Sequence, residues 1–140
     1  MKKRQRHEKG SASKLHLAAA IPESQNANDR AFEYYHRLRE VKRFVEEHSA
    51  EEISLRRAAR IAGLERKYFS NFFQKKIGLG FKLWLTCKRV GRAMELMKTE
   101  DYPISEIAHA AGFRDLRTFE RAFKKFTNLT PRQFKNGVRP

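Results

Sequence analysis

The chain has 140 residues and carries 31 Lys and Arg against 16 Asp and Glu, a net charge of +15. That excess is far beyond what solubility needs, and it points to a polyanionic partner. The single cysteine, Cys87, excludes an internal disulfide framework, and no apolar run approaches the roughly 20 residues that span a bilayer, so the sequence reads as cytoplasmic with no membrane partner.

Residues 1–28 are rich in Lys, Arg, Ser, Gln and Asn, lack a sustained apolar period, and read as a disordered basic tail. They account for only +4 of the charge, leaving +11 on the remainder, so the folded part is basic as well. The apolar stretch Leu15 to Ile21 is broken by His16 and followed by Pro22, too short and polar for a secretory signal. From about Arg30 to His48 a first helix is expected, with Tyr34, Leu38, Val41, Phe44 and Val45 at helical spacing. Acids crowd its other face (Glu33, Glu40, Glu46, Glu47), so a phosphate-facing surface has to lie elsewhere.

The rest of the chain states one pattern twice. Ala59-Arg60-Ile61-Ala62-Gly63-Leu64, followed by Phe69, Phe73, Gly78 and Trp84, returns as Ala108-His109-Ala110-Ala111-Gly112-Phe113, followed by Phe119, Phe123, Asn128 and Phe134. The offset is 49 up to the glycine and 50 after it, so the second copy has one extra residue in its turn. Each copy reads as a short helix, a Gly turn and a second amphipathic helix, the helix-turn-helix pattern. In the first copy, residues 54–78, Ser54 caps a helix through Ala62, Gly63 ends it, and the next helix runs from about Arg66 to Lys76 with Phe69, Phe72, Phe73 and Ile77 inward.

A connector helix, residues 81–98, follows Gly80 and would span about 27 Å. Gly91 inside it is expected to mark close helix packing. In the second copy, residues 103–128, Pro103 opens a helix through Ala111, Gly112 breaks it, Asp115 caps the next helix, and Asn128 takes the place of Gly78. Thr130-Pro131 caps a terminal helix over 131–136. The predicted fold is all-α: two helix-turn-helix subdomains joined by a connector helix, about seven helices in all.

Once the Phe-rich faces are buried, the outward stripe is Lys67, Asn71 and Lys75 in the first copy, flanked by Arg66, Ser70 and Gln74. In the second it is Arg117, Arg121 and Lys125, flanked by Thr118 and Lys124. Arg donates two bonds to guanine, Asn pairs with adenine, and Lys neutralises phosphate, so the N-terminal turns suit base reading and the C-terminal lysines suit positioning on the backbone. Duplex DNA is favoured over RNA because the aromatics are expected on inward faces rather than exposed for stacking.

Ile104-Ser105-Glu106-Ile107-Ala108-His109-Ala110-Ala111-Gly112-Phe113, with Phe119-Glu120-Arg121-Ala122-Phe123-Lys124-Lys125 and Leu129-Thr130-Pro131-Arg132-Gln133-Phe134, resembles the DNA-binding domain of the AraC/XylS family of bacterial transcription regulators. Arg89, Val90 and Ala93 in the connector share the resemblance, which runs from about Arg30 to Phe134 and places such a domain over residues 29–140. It implies a seven-helix domain that sets two recognition helices in successive major grooves. It also implies a monomeric activator that recruits RNA polymerase, the 28 preceding residues being too few for a sensor domain. Carried over by position, the base-reading residues would be Lys67, Ser70, Asn71, Leu116, Arg117 and Arg121. Backbone contacts would come from Arg66, Gln74, Lys75, Thr118, Lys124 and Lys125. Glu65 stands where the family commonly has a capping Ser, which argues against a phosphate contact there. Leu116 offers only apolar contact, and Glu120 is expected to pair with Lys124.

Two other classes use the same charge: an architectural protein that binds DNA without sequence choice, and a basic adaptor that binds an acidic protein. The five histidines lack metal-ligand spacing, Cys87 has no second cysteine, and no phosphate loop, nucleophile motif or paired carboxylates are present, so neither enzyme, metal nor cofactor is expected.

Overall fold

The computed structural model describes residues 28–138, and among them every regular element is a helix. In chain order these are α1 (Arg30–Tyr34), α2 (His36–Glu47), α3 (Leu55–Ala62), α4 (Arg66–Ile77), α5 (Phe81–Thr99), α6 (Ile104–Ala110), α7 (Leu116–Thr127) and α8 (Pro131–Val138). The expected basic tail lies outside the described residues except for Asn28. That residue belongs to the fold, donating its N–H to the Ile77 carbonyl at 2.7 Å and its side-chain amide to Lys76 O at 3.3 Å, at the C-terminal end of α4.

There are eight described helices rather than seven because the first expected helix breaks at Tyr35, which is extended at φ −100° and ψ 112°. Arg39 Nη2 donates to the Glu33 carbonyl at 2.7 Å, and the Tyr35 ring packs edge-on against Phe72 at 5.4 Å. The break turns the helical register, so Tyr34, expected inward, is 79% exposed, and Ala31 and Phe32 are buried instead.

Two compact units divide inside α5, between Lys88 and Arg89. In the first, α1 to α4 and the N-terminal part of α5 share an aromatic core. Phe73 is its hub: its ring lies 5.4 Å from both Phe81 and Trp84, 5.7 Å from Phe69 and 5.9 Å from Phe32. Each such pair adds about 0.5–1.5 kcal/mol beyond the area it buries. Phe69, Phe73 and Ile77 are fully buried, which fixes the rotation of α4 about its own axis.

In the second unit Phe119 and Phe123 occupy the matching positions on α7 and are fully buried, Phe119 against Phe113 at 5.1 Å and Phe123 against Phe134 of α8 at 5.6 Å. Val90, Ala93, Met94 and Met97 from the C-terminal part of α5, with Ile107 of α6, are buried as well. Thr127 is a buried polar residue whose hydroxyl is fully used: it lies 2.8 Å from Phe123 O and 3.1 Å from Leu129 O, and accepts from Leu129 N at 3.0 Å. A capping box starts α8, Thr130 Oγ1 accepting from Gln133 N at 3.1 Å and Gln133 Oε1 accepting from Thr130 N at 2.9 Å. Gly91 does not mark close packing, since a Cβ built there meets nothing within 4 Å.

Candidate nucleic-acid interface

The two turns that precede α4 and α7 are closed by the same hydrogen bonds. Gly63 N donates to Arg60 O and Leu64 N to Ala59 O, at 3.0 and 2.9 Å; Gly112 N donates to His109 O and Phe113 N to Ala108 O, both at 3.0 Å. Both glycines have positive φ, 72° and 103°, where a side chain would be strained. Arg37 braces the first turn, its Nη1 donating to Ala62 O at 2.6 Å and Gly63 O at 3.3 Å.

Both helices are then capped by a carboxylate three residues before the residue whose N–H it accepts. Glu65 Oε1 accepts from Tyr68 N at 3.0 Å, and Asp115 Oδ1 accepts from Thr118 N at 2.7 Å. The caps match at an offset of 50 and the turn bonds at 49, so the extra residue is Arg114, between Phe113 and Asp115. Hydrogen bonds from backbone N–H groups, of Lys67 and Tyr68 onto Glu65 and of Thr118 onto Asp115, hold both carboxyls below the usual carboxylate range. Each helix also ends alike, at Gly78 with φ 95° and at Asn128 with φ 64°, their N–H groups donating to Gln74 O and Lys124 O.

These caps and the buried Phe pairs decide what each helix presents. On α4, Arg66, Lys67, Asn71, Gln74 and Lys75 are exposed and Ser70 is half-buried. On α7, Leu116, Arg117, Thr118, Arg121, Lys124 and Lys125 are all exposed. Lys67, Asn71, Gln74 and Lys75 therefore share one outward face of α4, and Arg117, Thr118, Arg121, Lys124 and Lys125 one of α7, whereas Arg66 and Leu116, at the first position of each helix, are exposed on the side of the Phe line. None of Arg66, Lys67, Lys75, Arg117, Arg121 and Lys125 is engaged in an ion pair among the described residues. On α2 the charges are partly self-neutralised, by Lys42 with Glu46 and Arg43 with Glu40, each at 3.9 Å. The expected Glu120–Lys124 pair does not form; Lys124 Nζ turns to the Asn128 carbonyl at 3.4 Å, where the helix C-terminus attracts a cation more cheaply than a solvated carboxylate does.

One exposed residue on α4 was not among the expected contacts. Tyr68 is 57% exposed, contrary to the expectation that the aromatics turn inward. The signal for it lay in the duplication, because Tyr68 stands 50 residues before Thr118.

Cys87 is buried, and loss of solvent pushes its thiol up to about 11, so it stays protonated at neutral pH and is a poor nucleophile. Among the described residues no group of His, Cys, Asp and Glu is placed to hold a metal ion, and no helix is long and apolar enough to cross a membrane.

Residues 58–137 match a family described as a helix-turn-helix domain. An uncharacterised helix-turn-helix-type transcriptional regulator of Staphylococcus aureus is 29% identical over 126 residues, 90% of this chain and 17% of that protein. The chain thus spans about a sixth of the curated relatives it first matches. Among solved structures, the DNA-binding domain of AdpA in complex with a target DNA is 28% identical with a TM-score of 0.67, covering 69% of this chain and 87% of that one. A transcriptional regulator of the AraC-type DNA-binding group from Chromobacterium violaceum is 26% identical with a TM-score of 0.65, covering 71% and 89%.

Proposed function

This chain belongs to the AraC-type family of helix-turn-helix DNA-binding domains, a family of transcription regulators and not of enzymes, and we propose that it binds duplex DNA in a sequence-specific way by presenting α4 and α7 to the major groove. The observation that carries this reading is the repeated outward face: two helices with matching caps, matching turns and matching buried Phe pairs each leave a basic, amide-bearing or hydroxyl-bearing stripe in water. A charge of +15 supplies the attraction to phosphate. Fixed side chains on a capped helix supply base discrimination.

In this reading Lys67, Ser70, Asn71, Leu116, Arg117 and Arg121 face base edges, Leu116 through apolar contact with a thymine methyl. Arg66, Gln74, Lys75, Thr118, Lys124 and Lys125 face the backbone. The two helices occupy successive grooves of one duplex, and residues 29–140 act as the binding domain. The same proposal makes the protein a cytoplasmic activator that works as a monomer on DNA and engages RNA polymerase. The relative solved with its target DNA supports the nucleic-acid part of this reading.

Arg121→Ala tests it. The preferred duplex should lose about 1–3 kcal/mol of binding at one or two base pairs while random duplex is bound nearly as before. An architectural protein would weaken evenly on every sequence, and an adaptor for an acidic protein would leave no footprint on either DNA.

A further inference from the structure

We propose that Tyr68 is a DNA-backbone contact of α4, its phenolic hydroxyl donating to a phosphate oxygen of the bound duplex, a role that rests on the DNA-binding reading above. Successive residues of a helix are separated by about 100°, which places Tyr68 beside Lys75 and Asn71 on the outward side of α4 and away from the buried line of Phe69, Phe73 and Ile77. Its ring borders one neighbour. It lies parallel to Phe72, with 6.1 Å between centroids and 13° between planes, and Phe72 is braced edge-on by Tyr35 at 5.4 Å. Lys76 Nζ sits 5.2 Å from the Tyr35 ring and 6.0 Å from that of Phe72. Tyr68 itself is 57% exposed, and among the described residues its hydroxyl has no hydrogen-bond partner. An exposed phenol with an unused donor, on the outward side of the helix, is available to a ligand.

The duplication says what kind of ligand. Tyr68 and Thr118 are the residues whose N–H groups bind the two capping carboxylates, so they are equivalent in structure as well as in number. What a tyrosine and a threonine share is an uncharged O–H, not a ring. At Thr118 that O–H is taken by the Asp115 carboxylate, whereas at Tyr68 no described residue takes it, so what this position offers is a hydrogen-bond donor to phosphate. Glu65 adds a second reason. Its carboxylate takes the N–H groups of Lys67 and Tyr68 and places a negative charge at the start of α4, which disfavours a phosphate at that helix end and favours anchoring by side chains farther along.

The test is Tyr68→Phe in the full chain, on a duplex selected by the wild-type protein and on a random duplex. Phe preserves the ring contact with Phe72, so the urea midpoint should match wild type. Affinity for both duplexes should fall by the same factor, about 3- to 10-fold, with base preferences and salt slope unchanged. Ethylation interference gives the direct readout: one phosphate whose modification blocks the wild-type protein should become neutral for the variant. Wild-type affinity with an unchanged ethylation pattern would overturn the proposal, and so would a shift in preferred bases, which would make Tyr68 a base reader. Failure of the wild-type protein to prefer any duplex would overturn the DNA-binding reading itself and is seen before the variant is made.

Discussion

Gly63→Ala probes the turn that aims α4, and the structure gives each part of its cost. Gly63 ends α3 at φ 72° and ψ 30°, where an L side chain costs about 1–2 kcal/mol. A Cβ there would stand 2.8 Å from Arg37 Nη1, the atom that donates to the Ala62 and Gly63 carbonyls. Arg37 is exposed and its far end can withdraw, which forfeits about 1 kcal/mol once solvent screening is allowed for. Alanine also restricts the unfolded chain, which returns about 0.4–1 kcal/mol. The net expectation is a loss of about 2 kcal/mol.

Placing the same change in an Arg37→Met background removes the clash and leaves the backbone strain, so the cost should drop to about 1 kcal/mol, a coupling a double-mutant cycle resolves. Urea unfolding followed by Trp84 fluorescence suits the measurement, because this single tryptophan is buried in the same unit. An unchanged midpoint in Gly63→Ala would refute the strained-turn argument. An equal cost in both backgrounds would refute the part assigned to Arg37.

Gly91→Ala should have the opposite sign, raising stability by about 0.5–1 kcal/mol in the same urea assay, because the position is helical and a Cβ meets nothing within 4 Å; a destabilised variant would show that the site is not open. The two capping carboxylates set an acid dependence. Both bind protons more weakly in the folded chain than in the unfolded one, so their stabilisation is complete above the ordinary carboxylate range and is withdrawn as pH falls from about 4 toward their lower folded values. Urea midpoints taken across that range should fall less steeply for the Glu65→Gln, Asp115→Asn double variant than for wild type, and parallel curves would dissociate the caps from acid stability.

What the residues alone disclosed was the chemistry that acts locally. Ser54 and Asp115 accept the N–H groups their positions called for, at 3.0 and 2.7 Å, and Asn128 adopts the positive φ of 64° that its place opposite Gly78 required. Cap and turn residues are decided within four positions of chain, so a pattern of side chains suffices to place them. The exposed stripes on α4 and α7 were legible for a similar reason, since burying the Phe line leaves only one face for Lys67, Asn71, Arg117 and Arg121.

The features that escaped depend on distant partners. Nothing near Tyr35 is a glycine or proline, and the break there is held by the Phe72 ring and by Arg39 reaching the Glu33 carbonyl. Tyr68 was grouped with its inward aromatic neighbours by residue type, although its place next to Phe69 turns it about 100° away from the core. Gly91 looked like a packing glycine because helix interiors rarely carry one without reason, and only the open space around it shows otherwise. The duplication announced an extra residue in the second turn; the hydrogen bonds on either side were needed to identify it as Arg114.

Selection of bound sequences from a random duplex pool, followed by footprinting on the winner, tests the central claim most directly. Two reading helices on one duplex predict protection over about two helical turns, with two separated clusters of preferred bases and relaxed choice between them. A single cluster, or protection that spreads without regard to sequence, would contradict it.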